Sequence, residues 1–157
     1  MTLAFASSDE FLVRPADGED EINFVRKTWL RIVDSESVPP AVLIYGPHFM
    51  AEHHRAIETC LQRAAVSVAY RPSLATRICG FAVTERVWAP TVMREIEQHA
   101  IHFVFVRARW RRMGVARLLL GPLAKLHAAY THKTRELQPE RLPEPWTFNP
   151  YPFLRTE

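Results

Sequence analysis

The chain predicts a mixed α/β domain of the α+β kind, with a mostly antiparallel sheet flanked by helices. Three observations carry this. Ala65–Tyr70 (AVSVAY), Arg77–Glu85 (RICGFAVTE) and His99–Arg107 read as strands, the first two forming an antiparallel hairpin. Asp20–Val33 places Ile22, Val25, Trp29, Ile32 and Val33 at helical spacing. In Ile101–Leu120 (IHFVFVRARWRRMGVARLLL) an apolar run ends in a knot of arginines, one turn-type glycine follows, and an apolar helix begins. That last order builds an anion site. Free backbone N–H groups and the positive end of the helix dipole face whatever sits at the helix start. Arg109, Arg111, Arg112 and Arg117 add guanidinium groups that can fork onto phosphate oxygens.

The elements follow in order. Phe11–Arg14 reads as a short strand and Pro15-Ala16-Asp17-Gly18 as a turn into the first helix. Asp34–Pro40 is a polar, proline-ended break. Val42–Tyr45 is short and apolar, and Gly46-Pro47 opens a second helix over His48–Arg63, with Met50, Ile57 and Leu61 on one face. Arg71-Pro72-Ser73 turns between the first two long strands, and Ala89–Glu97 fits either helix or strand. Val115–Tyr130 reads as one long helix. After it, Pro139, Pro143, Pro145, Pro150 and Pro152 alternate with Trp146, Phe148, Tyr151 and Phe153. Proline at that density excludes a helix or a central strand. The expectation is an extended, aromatic-anchored tail with one short strand at Trp146–Phe148. The whole chain, residues 1–157, reads as one domain, with a core over about residues 11–130 and an extended segment over 131–157.

Composition narrows the function classes. The chain has 157 residues, 48% apolar and 24% charged, which is ordinary for a soluble globular domain. It holds no run of about 18 apolar residues, so no membrane helix is expected, and MTLAFASSDE lacks the basic start and apolar core of a signal peptide. Cys60 and Cys79 form no CxxC pair, so reduced thiols and a cytoplasmic setting are expected. The net charge of +3 does not by itself require nucleic acid, but Arg107, Arg109, Arg111, Arg112 and Arg117 concentrate it within eleven residues. His48, His53 and His54 lack a carboxylate partner and an HExxH spacing, so no metal is expected.

Val104-Phe105-Val106, then Arg111-Arg112-Met113-Gly114-Val115-Ala116, then Leu118-Leu119-Leu120 resemble the GNAT superfamily of acyl-CoA-dependent N-acyltransferases. They match its strand, its (Arg/Gln)-x-x-Gly-x-(Gly/Ala) loop and its leucine-rich helix. LVRPADGEDEINFV and RICGFAVTE are similar to the family's opening strand and helix and to its strand before the motif. The resemblance covers Phe11–Tyr130 and implies the GNAT fold, with acetyl-CoA as co-substrate. It implies that Arg111, Arg112 and the amides of Met113, Gly114, Val115 and Ala116 hold the pyrophosphate. Phe105 and Val106 would offer main-chain contacts to pantetheine. Gly114 can approach phosphates and take dihedrals that other residues avoid.

Transfer to an amine needs a proton acceptor and a donor for the departing thiolate. Family members often use a glutamate or an ordered water, and a tyrosine. Ala100 stands where the family's motif-strand carboxylate commonly lies. His102, two residues on and on the same side of the sheet, is the first candidate base, and Glu85 the second. Tyr151 and Tyr130 are the candidate acids. Only about 27 residues follow Tyr130, so the family's second long helix and final strands are missing or replaced. Short proteins of this layout resemble those of phages and prophages, one group of which modifies adenine in DNA. The reading is therefore an acyltransferase acting on a small-molecule or macromolecular amine by direct attack in a ternary complex. A nucleic-acid modifier or binder and a non-catalytic module of the same fold are the alternatives. The aromatic tail could also dock on a second subunit to make a homodimer.

Overall fold

The computed structural model describes residues 10–36, 49–74, 77–90, 95–126, 128–132, 142, 146–149 and 153; at 34–36, 49–50, 88–90, 95–97 and 124 it describes the backbone only. Strand β1 (Leu12–Pro15) leads into helix α1 (Gly18–Glu36), and helix α2 (Phe49–Arg63) follows. Strands β2 (Ala65–Tyr70), β3 (Ile78–Pro90) and β4 (Glu95–Val106) come next. Helix α3 (Val115–Leu120) precedes the short strands β5 (Ala128–Tyr130) and β6 (Trp146–Phe148). The six strands form one sheet in sequence order. The pairs β1–β2, β2–β3 and β3–β4 are antiparallel; β4–β5 and β5–β6 are parallel.

Local chemistry explains where α1 starts. Gly18 takes φ 75°, which only glycine adopts cheaply, to turn the chain off β1. Glu19, Asp20 and Glu21 then fill the first turn, where carboxylates meet unpaired N–H groups. Glu21 reaches back to accept from the Asp17 amide at 2.6 Å, and it binds both Arg14 terminal nitrogens at 2.6 and 2.7 Å. That fork pins the helix start to β1.

The sheet is covered on both faces. Val25, Trp29 and Val33 of α1 and Ile57 and Cys60 of α2 bury themselves against Val66, Val68, Phe81, Val83 and Phe103. Phe153, from the tail, closes this core. On the other face Val115 and Leu119 of α3 cover Ala69 and Ala82. The small residues matter there. A Cβ on Gly80 would sit 2.5 Å from the Phe105 carbonyl oxygen, so only glycine lets β4 lie at its observed spacing.

Two expectations change. The helix placed over Val115–Tyr130 is six residues long. Gly121 takes φ 54° and Pro122 has no N–H to continue the ladder, so a 3₁₀ segment, Gly121–Lys125, follows. Tyr130 therefore lies on a strand, not at a helix end. Of the segment left open between helix and strand, Ala89 and Pro90 end β3 and Glu95 to Glu97 begin β4, with Pro90 opposite Glu95. The inner face of α2 buries His53, Ile57 and Cys60, and Leu61 packs against the same core as expected. The strands at Ala65–Tyr70 and Trp146–Phe148 have the expected bounds. Val42–Tyr45 and most of the tail lie outside the described residues.

Gly80→Ala is expected to lower stability by about 2 kcal/mol, or roughly 5 °C in Tm, because backbone rather than a side-chain tip must move. Thermal unfolding followed by circular dichroism measures it; an unchanged Tm would contradict the close approach.

Candidate active site

The β3–β4 register slips at one point. Val83 pairs with Phe103, but Thr84 pairs with Ile101, which leaves His102 as the extra residue of a β-bulge. A bulge re-aims side chains, and here His102 turns to the face covered by α1 and α2, beside Glu85 of β3. The Glu85 carboxylate lies 2.8 Å from His102 Nε2 and accepts from Arg63 Nε at 3.1 and 3.2 Å. Arg63 ends α2, and its terminal nitrogen also donates to the Phe153 carbonyl at 3.2 Å.

The polar chain continues inward. His102 Nδ1 lies 3.0 Å from Thr131 Oγ1, Thr131 Oγ1 lies 2.9 Å from His132 Nδ1, and His132 Nε2 lies 3.1 Å from His53 Nε2. All four of these residues are fully buried. With Glu85 ionised and three neutral imidazoles, one consistent set of protons satisfies every link. His53 donates to His132, His132 to Thr131, Thr131 to His102 and His102 to Glu85. Burial raises the Glu85 carboxyl, but the hydrogen bonds from His102 and Arg63 and the Arg63 charge outweigh it and hold its pKa below the ordinary value. Burial, reinforced by His53 and His102, pushes His132 well below its ordinary 6.5.

The same bulge marks where the sheet forks. Strand β5 pairs with β4 only from His99 to Ile101, and the Thr131 amide donates the last bond to the Ile101 carbonyl at 3.0 Å. Past it, β4 runs on to Val106 with no β5 partner among the described residues. The Arg107 amide donates to the Cys79 carbonyl on the β3 side. The alternation of an antiparallel pair then turns the main-chain groups of Val104 and Val106 to the open edge. The Val106 carbonyl accepts from Arg111 Nε there, at 3.0 Å. Phe105 does not share this geometry, since its carbonyl faces Gly80 of β3.

The open edge runs into the arginine loop. Arg112 takes φ 64°, a left-handed conformation costly for a side-chain-bearing residue, and Gly114 takes φ 81°. The Gly114 carbonyl starts α3 by accepting from Leu118 at 3.0 Å. Left-handed residues in a short loop turn successive amides toward one concave side, which suits an anion. Arg111, Arg112, Met113 and Gly114 are exposed and Ala116 half-buried, while Val115 is buried in the core. The cradle rests on the loop rather than on a long helix dipole, because α3 has only six residues.

No protein-family model and no curated protein matches the chain. Among solved structures it is similar to a candidate acetyl transferase from Pyrococcus furiosus, at 20% identity, covering 71% of this chain and 70% of that one with a TM-score of 0.52. That likeness settles the architecture. The chain has the GNAT fold. Two further likenesses are weaker. A fungal GCN5-related glucosamine N-acetyltransferase region has 20% identity over 71% of this chain and 11% of that, with a TM-score of 0.49. A Corynebacterium glutamicum histone acetyltransferase and related acetyltransferase has 17% over 76% and 74%, at 0.48.

Within this GNAT fold, His102 and Glu85, separate candidates in the sequence, form one hydrogen-bonded unit. His102 is fully buried with both ring nitrogens engaged, and Glu85 retains 7% side-chain exposure. Tyr130 is buried against Phe148, with ring centroids 5.6 Å apart, in an apolar cluster. Tyr151 lies outside the described residues. The sequence reading missed Thr131, His132 and the inward role of His53, none of which carries a motif. Among the described residues no helix is long and apolar enough to cross a membrane.

The buried imidazole makes stability depend on pH. Unfolded His132 takes a proton near 6.5, while folded His132 resists until far lower pH. Stability is therefore full above 6.5 and falls as pH drops below it. Urea midpoints at about pH 7.5 and about pH 5.5 should differ, and His132→Gln should shrink the difference whatever its effect on absolute stability. Equal midpoints in the wild type would contradict the burial.

Proposed function

We propose that the protein is an acyl-CoA-dependent N-acyltransferase, with acetyl-CoA as the acyl donor and an amine as acceptor. The open β4 edge that runs into the twice left-handed arginine loop carries this reading. Left-handed backbone at a side-chain-bearing residue persists only when its surroundings enforce it, and such strain collects at ligand sites. The residues present fit the ligand. An extended amide-bearing arm would pair with main-chain groups of Val104 and Val106, and a pyrophosphate would meet the Arg111–Gly114 amides and the Arg111 and Arg112 guanidiniums. When bound, acetyl-CoA would supply an acyl thioester activated for attack.

The acceptor nitrogen bonds to the acyl carbon as the carbon–sulfur bond breaks, directly within a ternary complex. Glu85 takes the proton that the amine gives up, directly or through one water. His102 holds that carboxylate in place from behind, and Arg63 holds it from the other side. The thiolate recovers a proton from solvent or from a tail tyrosine. Phe153 packs against His102, with Trp29 behind it, and keeps water from that side of the pair, which strengthens its electrostatics.

Titration calorimetry with acetyl-CoA should give one site per chain. Gly114→Val, which forces a β-branched residue into left-handed backbone, should weaken it at least tenfold. No heat with the wild type rejects the reading. Thiol release across a panel of amines should fall about 100-fold in Glu85→Gln with little change in acetyl-CoA affinity. Undiminished turnover would remove Glu85 from the chemistry.

A further inference from the structure

A cavity of about 410 Å³ opens between the β2–β3 turn, the start of β3 and the end of β4. Leu74, Arg77, Cys79, Arg107, Arg109 and Trp110 line it. It lies on the β3 side of β4, whereas the open edge at Val104 and Val106 faces the β5 side. The acyltransferase reading makes no use of it. We propose that this cavity is a separate binding site for a phosphomonoester, such as a mononucleotide or the phosphorylated end of a strand.

Arg77 at the start of β3 and Arg107 and Arg109 at the end of β4 line one space, and among the described residues no carboxylate does. The ion-paired arginines Arg14, Arg26, Arg55 and Arg63 all lie elsewhere. Like charges repel, so the gathering of Arg77, Arg107 and Arg109 around a space with no counter-charge among the described residues calls for an anion. The fold holds Arg107 and Arg109 there. Arg107 donates through Nε to the Ile78 carbonyl at 2.6 Å and lies over the Phe24 ring at 4.8 Å, which leaves its terminal nitrogens for a ligand. Arg109 lies over the Trp110 ring at 4.7 Å, and Arg71 sits 4.9 Å from the same ring. Guanidiniums fixed this way lose little freedom on binding, and their forked donors match phosphate oxygens.

Charge and size narrow the ligand. Three cations suit a dianion, which a phosphomonoester is and a phosphodiester is not. The volume is within the range of small-molecule sites and exceeds what a phosphate group fills. Leu74, Trp110 and Cys79 offer an apolar wall for an organic body, and burial pushes the Cys79 thiol pKa up, keeping it neutral.

The test is calorimetry at low salt with AMP, adenosine, and a short oligonucleotide with and without a 5′-phosphate. AMP should bind and adenosine should not. Arg77→Gln and Arg109→Gln, both at exposed positions, should each weaken AMP about tenfold. AMP should still bind Gly114→Val and in the presence of saturating coenzyme A, and Arg77→Gln should leave acetyl-CoA affinity unchanged. Displacement of AMP by the phosphorylated oligonucleotide, and not by its unphosphorylated form, assigns the site to strand ends; no displacement assigns it to free mononucleotides. Absence of AMP binding up to about 1 mM, equal binding of adenosine, or loss of AMP in Gly114→Val would each overturn the proposal. AMP binding without acetyl-CoA binding would overturn the acyltransferase reading and leave this site standing.

Discussion

The buried hydrogen-bonded chain from Arg63 through Glu85, His102, Thr131 and His132 to His53 is the constraint on which the rest of the structure depends. It ties the end of α2 to β3, to the bulge of β4 and to the exit of β5. Each member is costly to bury alone and acceptable only when all are paired. The chain therefore holds four elements in one arrangement more strictly than apolar packing would. Trp29, Phe103 and Phe153 close around it and keep water out.

That constraint also sets the fork. The bulge that turns His102 inward coincides with the last β4–β5 pairing at Ile101 and Tyr130. Beyond it β4 lacks a β5 partner, and its edge leads into a loop whose amides are turned by left-handed backbone. The interior polar chain and the exposed anion cradle are thus two ends of one local irregularity in β4. A regular strand would supply neither.

Much of this was legible in the sequence. Alternation marked β2 with its observed bounds, and helical spacing placed Val25, Trp29 and Val33 on the buried face of α1. Arg111 to Ala116 read as an anion loop because glycine and clustered arginines are local signals. The reading overextended α3, since the run of apolar residues after Gly114 outweighed Gly121 and Pro122, which end the helix after six residues. It kept Glu85 and His102 apart, because a β-bulge has no sequence signature of its own. His53 and His132 are 79 positions apart and carry no motif, so nothing local could pair them.

By itself, the sequence determined the alternation of strands and helices, the proline-rich tail and the arginine loop after the fourth strand, because each depends on residues within one or two turns of chain. Tertiary structure alone decided where β4 bulges, where β5 leaves it, which histidines meet, and that Arg77, Arg107 and Arg109 line one cavity. Those outcomes depend on register and packing between distant segments, where the cost of an unpaired buried group selects the arrangement.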